Sequence, residues 1–101
     1  MAISMIERHG GFYYIFDDRG KKQKTMPESI GMMLGWSTHF FIVYRGGFYY
    51  LYDESGKQYK TLPESVGSFV SIAGDTFVIR RSGFLYTYDK SGKQISTRPE
   101  R

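Results

Sequence analysis

A run of seven residues returns twice at a fixed interval, and that interval constrains the fold more than anything else in the chain. Gly11-Phe-Tyr-Tyr-Ile-Phe-Asp17 recurs as Gly47-Phe-Tyr-Tyr-Leu-Tyr-Asp53 and as Gly83-Phe-Leu-Tyr-Thr-Tyr-Asp89, 36 residues apart each time. Between residues 11–31 and 47–67, 13 of 21 positions are identical without a gap. The third copy also keeps the Gly92-Lys93, Thr97 and Pro99-Glu100 counterparts of Gly20-Lys21, Thr25 and Pro27-Glu28. Self-similarity at such a period marks stacked supersecondary units, each unable to bury its apolar surface alone.

One unit is clearest in the middle copy. Residues 40–44, Phe-Phe-Ile-Val-Tyr, are aromatic and β-branched and suit a strand. Gly46-Gly47 supplies a tight reversal; the third copy has Ser82-Gly83, so positive φ is expected at the second position. Residues 48–52 form a second strand, and Asp53-Glu-Ser-Gly56 closes the next hairpin. Residues 57–61 make a third strand, polar enough for a sheet edge. Thr61-Leu-Pro-Glu64 has the form of a capping box, and Leu62, Val66, Phe69 and Ala73 lie at helical spacing. Gly67 and the alternating run from Phe69 oppose a long helix. The expectation is one helical turn at 63–65, then a fourth strand.

The chain should therefore be all-β, with three tandem antiparallel meanders at about 3–38, 39–74 and 75–101, the last lacking a final strand. A meander of this size matches a propeller blade, with strand 57–61 outermost and the small-residue strand holding Gly67, Ser68 and Ser71 innermost. A threefold β-prism or barrel is the alternative, and α+β follows if residues 62–72 are helical. Strands 40–44 and 48–52 are apolar on both faces, as sheets stacked on sheets require. The face carrying Tyr49 and Leu51 becomes Leu85 and Thr87 in the last copy, which points to the end of the array. Ordering each blade from an inner strand such as 68–72 gives two complete blades and a first one without its inner strand. Three full units would need 108 residues against the 101 present. Closed propellers usually need at least about four blades, so self-association into a dimer or ring is expected.

Tyr50-x-Tyr52-Asp53-x-x-Gly56-Lys57, matched by Tyr86-x-Tyr88-Asp89-x-x-Gly92-Lys93, resembles the core of a YD (Rhs-type) repeat. The D-x-x-G-K hairpin also resembles WG-type β repeats, whose period is similar. The resemblance implies repetitive β architecture and no activity.

Composition narrows function by exclusion. There is no cysteine, hence no disulfide framework, thiolate metal site or thiol nucleophile. With 41% hydrophobic and 18% aromatic residues the chain can fill a core, which excludes wholesale disorder. Nothing approaches the roughly 18 consecutive apolar residues of a membrane helix. The opening Met1-Ala-Ile-Ser-Met-Ile-Glu7-Arg8-His9 meets charge too early for a signal-peptide core. A soluble, cytoplasmic protein without a membrane partner is expected. His9 and His39 are not repeat equivalents and have no carboxylates at ligand spacing, so no metal or cofactor is expected. Asp17, Asp53 and Asp89 sit at turns, and Glu28, Glu64 and Glu100 at cap positions. Phosphate-loop and nucleophile-elbow motifs are absent, so an enzyme is not expected.

Binding is the class that remains. The chain carries 14 basic against 10 acidic residues. Arg8, Arg45, Arg80 and Arg81 end the first strand of their units, and Lys21, Lys57 and Lys93 begin the third. The two basic sets should lie at opposite ends of the sheets, a geometry open to polyanions. Tyr13, Tyr49 and Trp36 are candidates for stacking on sugars or bases. The expected function is a non-catalytic binding or assembly module that recognises a protein partner. Carbohydrate binding through the aromatics and nucleic-acid binding through the basic turns are the alternatives.

Overall fold

The structure, a computed structural model, describes residues 2–100, so Arg101 of the expected third unit lies outside the described residues. Its strands are β1 (Ile3–His9), β2 (Phe12–Asp17), β3 (Lys22–Pro27), β4 (Met32–Trp36), β5 (Phe40–Arg45), β6 (Phe48–Asp53), β7 (Gln58–Pro63), β8 (Ser68–Ala73), β9 (Thr76–Arg81), β10 (Phe84–Asp89) and β11 (Gln94–Pro99). They form three antiparallel sheets, β1-β2-β3, β4-β5-β6-β7 and β8-β9-β10-β11, in which every paired strand is a neighbour in sequence. The protein is all-β. β4 opens the second sheet and does not close the unit 3–38, and the third sheet has all four of its strands. The short sheet is the first.

Local chemistry explains where one sheet stops and the next begins. Pro27 and Pro63, with φ of −70° and −72°, end β3 and β7. A single 3-10 turn follows at Glu28–Ile30 and at Glu64–Val66, and then Gly31 and Gly67 adopt φ of 135° and 132°. A side chain is strained in that region, whereas glycine enters it freely. The helical turn thus falls one residue later than the expected 63–65, and residues 68–73 are strand, which removes the α+β alternative. Neither turn is capped by a side chain, so the T-x-x-E run does not act as a capping box. A three-residue turn is too short to need that cap.

Hairpin chemistry repeats in the same way. Both central residues of the first hairpin turn have positive φ: Gly10 and Gly11, Gly46 and Gly47, Ser82 and Gly83. The second position has positive φ as expected, and the first position shares it. The mirror-image turn matches strand twist, and Ser82, at φ 52°, accepts the strain that glycine avoids in the other copies. In the second hairpin, Oδ1 of Asp17, Asp53 and Asp89 accepts the amides of residues two and four positions later, at 2.9–3.0 Å.

The second sheet is buried on both faces. Ile6, Ile15 and Met26 of the first sheet share one core cluster with Phe41, Val43 and Tyr52. Ile42, Leu51 and Leu62, their counterparts 36 residues on, share the other with Phe77, Ile79 and Tyr88. One stacking arrangement is thus used twice. Phe41 stacks on Tyr52 at 5.0 Å, and Phe77 on Tyr88 at 5.2 Å. The sheets approach most closely through β4 and β8, where a Cβ on Gly35 would lie 2.8 Å from the Ile72 side chain.

Candidate binding rim

The glycine hairpins gather at one end of all three sheets and carry a repeated set of exposed groups. Each opens a strand with phenylalanine: Phe12, Phe48 and Phe84, exposed by 43%, 43% and 44%. Among the described residues no sheet precedes Phe12 to cover it, yet its exposure equals that of the other two. Neighbouring sheets therefore add nothing to the cover of these rings, and sheet-on-sheet stacking does not account for their identity in all three copies, although Phe12 and Phe48 touch Tyr14 and Tyr50 on their own sheets.

Each phenylalanine lies between a proline and a nitrogen base on the flanking strands. The pairs are Pro27 and His9, Pro63 and Arg45, Pro99 and Arg81. Two residues further along the strand, the Arg45 and Arg81 guanidiniums sit over Tyr50 and Tyr86, 4.7 Å from the ring centroids. In the first sheet Lys22 covers Tyr14 at 4.2 Å. Stacked guanidiniums keep their outer edge available for hydrogen bonds.

Acids share this rim. Arg8 pairs with Glu28 at 3.3 Å and Arg80 with Glu100 at 3.0 Å. In the middle sheet the corresponding residues are Tyr44 and Glu64, whose hydrogen bond raises the Tyr44 hydroxyl above its ordinary range. The glutamates act as partners across the hairpin, not as helix caps. Such exposed pairs contribute little stability, but they neutralise half of the basic set.

Lys21, Lys57 and Lys93 stand at the opposite end, with exposed side chains beyond the aspartate turns. The two basic sets are separated as expected. Trp36 is part-exposed at the end of β4, also remote from the phenylalanine rim. Tyr13 and Tyr49 are not available to a ligand. Both are buried, and their hydroxyls donate to the carbonyls of Gly31 at 2.8 Å and Gly67 at 2.6 Å. Each hydroxyl also accepts an amide two residues further on, from Met33 and Phe69, so it fastens the following sheet. The third copy has Leu85 at this position.

The aspartate end holds a cleft of about 270 Å³ between the second and third sheets, lined by His39, Asp53, Glu54, Tyr59, Lys90 and Ser91. His39 Nδ1 lies 3.2 Å from Glu54. The Tyr59 hydroxyl donates to the Lys90 carbonyl and is pushed up to about 12 by burial, with Asp53 and Asp89 adding to the shift. Among the described residues no group of three or more histidines or acids is placed to hold a metal ion. No helix among them is long and apolar enough to cross a membrane.

The aspartate turns set the response to acid. The Asp17 carboxyl is held below its ordinary value of 3.8 chiefly by the Lys21 amide. For Asp53, desolvation works upward but is outweighed by the Ser55 hydroxyl and the Lys57 amide; for Asp89 the Ser91 hydroxyl leads. A carboxyl with a lowered folded value binds protons more weakly than in the unfolded chain. Its stabilisation is present above the unfolded value and disappears as pH falls through the folded one. Urea titrations should give constant stability down to about pH 5 and a decline below about pH 4. Asp53→Asn, which keeps the acceptor oxygen, should flatten that decline.

The rim phenylalanines were legible as repeated residues but not as exposed ones. They alternate with Tyr50 and Tyr52 along one strand face, which assigns them to the core until the end of the inter-sheet contact is known. The chain matches no family model, no curated protein and no solved structure.

Proposed function

We propose that the protein is a non-catalytic β-repeat binding module, built of propeller-blade-like sheets, that holds a protein partner across its phenylalanine rim. One observation carries this reading: the same aromatic ring is equally exposed in all three copies, at a position where stacking does not need it. Aromatic rings beside stacked arginines are the composition of protein interface hot spots. The rim also repeats an acid in each sheet, which suits a mixed protein surface better than a uniform polyanion. The blade-like arrangement is supported by the close approach of β4 to β8, since blades crowd together at their innermost strands.

The test is a triple variant, Phe12→Ser, Phe48→Ser and Phe84→Ser. Each ring is half-exposed, so the variant should remain folded, with a loss of about 1 kcal/mol or less per site. Affinity capture from a lysate of the source organism, followed by quantitative mass spectrometry, should return proteins with the wild type that the variant fails to retain. Equal capture by both would overturn the proposal. Salt-weakened binding of single-stranded RNA, or hits on a glycan array, would assign the rim to one of the other ligand classes.

A further inference from the structure

We propose that the outer face of the third sheet docks on the outer face of the first sheet of a second copy, repeating the stacking that joins the sheets within one chain. The exposed rim phenylalanines are not covered by this stacking, so this inference goes beyond the binding function and does not depend on it. Within the chain, every interface joins the upper face of one sheet to the lower face of the next. Upper faces present Ile6, Ile15 and Met26, then Ile42, Leu51 and Leu62; lower faces present Phe41, Val43 and Tyr52, then Phe77, Ile79 and Tyr88. Among the described residues one face of each kind has no sheet stacked on it. Val78, Thr87 and Arg98 stand on the upper face of the third sheet, and Met5, Glu7 and Phe16 on the lower face of the first.

The substitutions on these two faces match each other. Met26 and Val43 lie in one core cluster, and Leu62 and Ile79 in the other. Their counterparts on the unused faces are Arg98 and Glu7, both exposed and of opposite sign. A third use of the same stacking arrangement would bring that pair into one interface. The charges keep each face soluble when it is free, and their opposite signs attract when the faces meet. Apolar exposure is found on the same two sheets. Val70 and Ile95 are exposed by 43% and 53% on the third sheet, and Met5 by 42% on the first. Leu34, the counterpart of Val70, packs into the core between the second and third sheets. Gln23, a counterpart of Ile95, reaches across to the Glu54 carbonyl of the next sheet at 2.9 Å. The occupant that fits is therefore a second copy of this chain, joined head to tail. Such a contact either closes into a ring of two copies or continues as an open series.

The test uses sedimentation velocity and light scattering across micromolar concentrations. The wild type should show species at multiples of 11.7 kDa. Glu7→Arg alone, or Arg98→Glu alone, gives the two facing surfaces the same sign and should weaken association by roughly tenfold or more. An equimolar mixture of the two single variants restores an opposite pair at both contacts, and association should return. Both positions are exposed, so unchanged monomer melting will show that the fold is intact. A wild type that stays monomeric overturns the proposal. So does a single reversal that leaves the mass unchanged, or a mixture that fails to recover.

Discussion

Replacing Gly67 by alanine is expected to cost about 3–5 kcal/mol, a large share of the roughly 5–15 kcal/mol that holds a domain together. The methyl group meets two obstacles at once. Gly67 has φ of 132°, where L residues are strained, and its Cβ would lie 2.4 Å from the Arg80 carbonyl oxygen and 2.6 Å from the Ile79 side chain. The first of these is backbone and cannot rotate away. Moving residue 67 outward would also break the bond that its carbonyl accepts from Tyr49. Gly46→Ala provides the contrast. Gly46 also has positive φ, but nothing stands within 4 Å of its Cβ, so only the local strain of about 1–2 kcal/mol remains. Urea unfolding of the two variants, followed by far-ultraviolet circular dichroism, should separate them clearly. Equal losses would show that conformation alone governs both sites.

The second large effect is expected at Phe77. Its ring is buried in the core between the second and third sheets, stacked on Tyr88 and 6.1 Å from Phe40. Phe77→Ala removes a large side chain from packed surroundings that cannot collapse around it, for about 3–5 kcal/mol. The same repeat position is occupied by Phe41 in the second sheet and Met5 in the first. Phe41→Ala should cost as much as Phe77→Ala, while Met5→Ala on the open face should cost less than about 1 kcal/mol. Urea midpoints for the three variants give the comparison directly. A costly Met5→Ala at low concentration would mean that the first face is already covered in the single chain.

Much of this organisation was legible because turns are written in short-range chemistry. A glycine pair, or an aspartate followed by glycine three residues on, fixes a hairpin without reference to distant residues. The strands between them follow from their aromatic and β-branched content. Tertiary geometry was not legible in that way. Tyr13 and Tyr49 looked like ligand-stacking rings, but their position relative to Gly31 and Gly67 makes them fasteners between sheets. Phe48 looked like core because it shares a strand face with Tyr50, and only the end of the neighbouring sheet reveals its exposure. Glu28 and Glu100 suited a cap by spacing, whereas Arg8 and Arg80 reach them across the hairpin.

Strands that are adjacent in the sequence are adjacent in every sheet, and this governs how quickly order can spread through the chain. Each pairing closes only a short loop, so little entropy is lost before its hydrogen bonds form. All-β domains that pair distant segments fold slowly for the opposite reason. Here a hairpin can grow into a sheet from contiguous residues, and the completed sheet then offers a template to the next. Among the described residues the middle sheet alone has a neighbour on each side. Once formed, it can gather the segments before and after it in either sequence, giving the chain two short routes to the same native state.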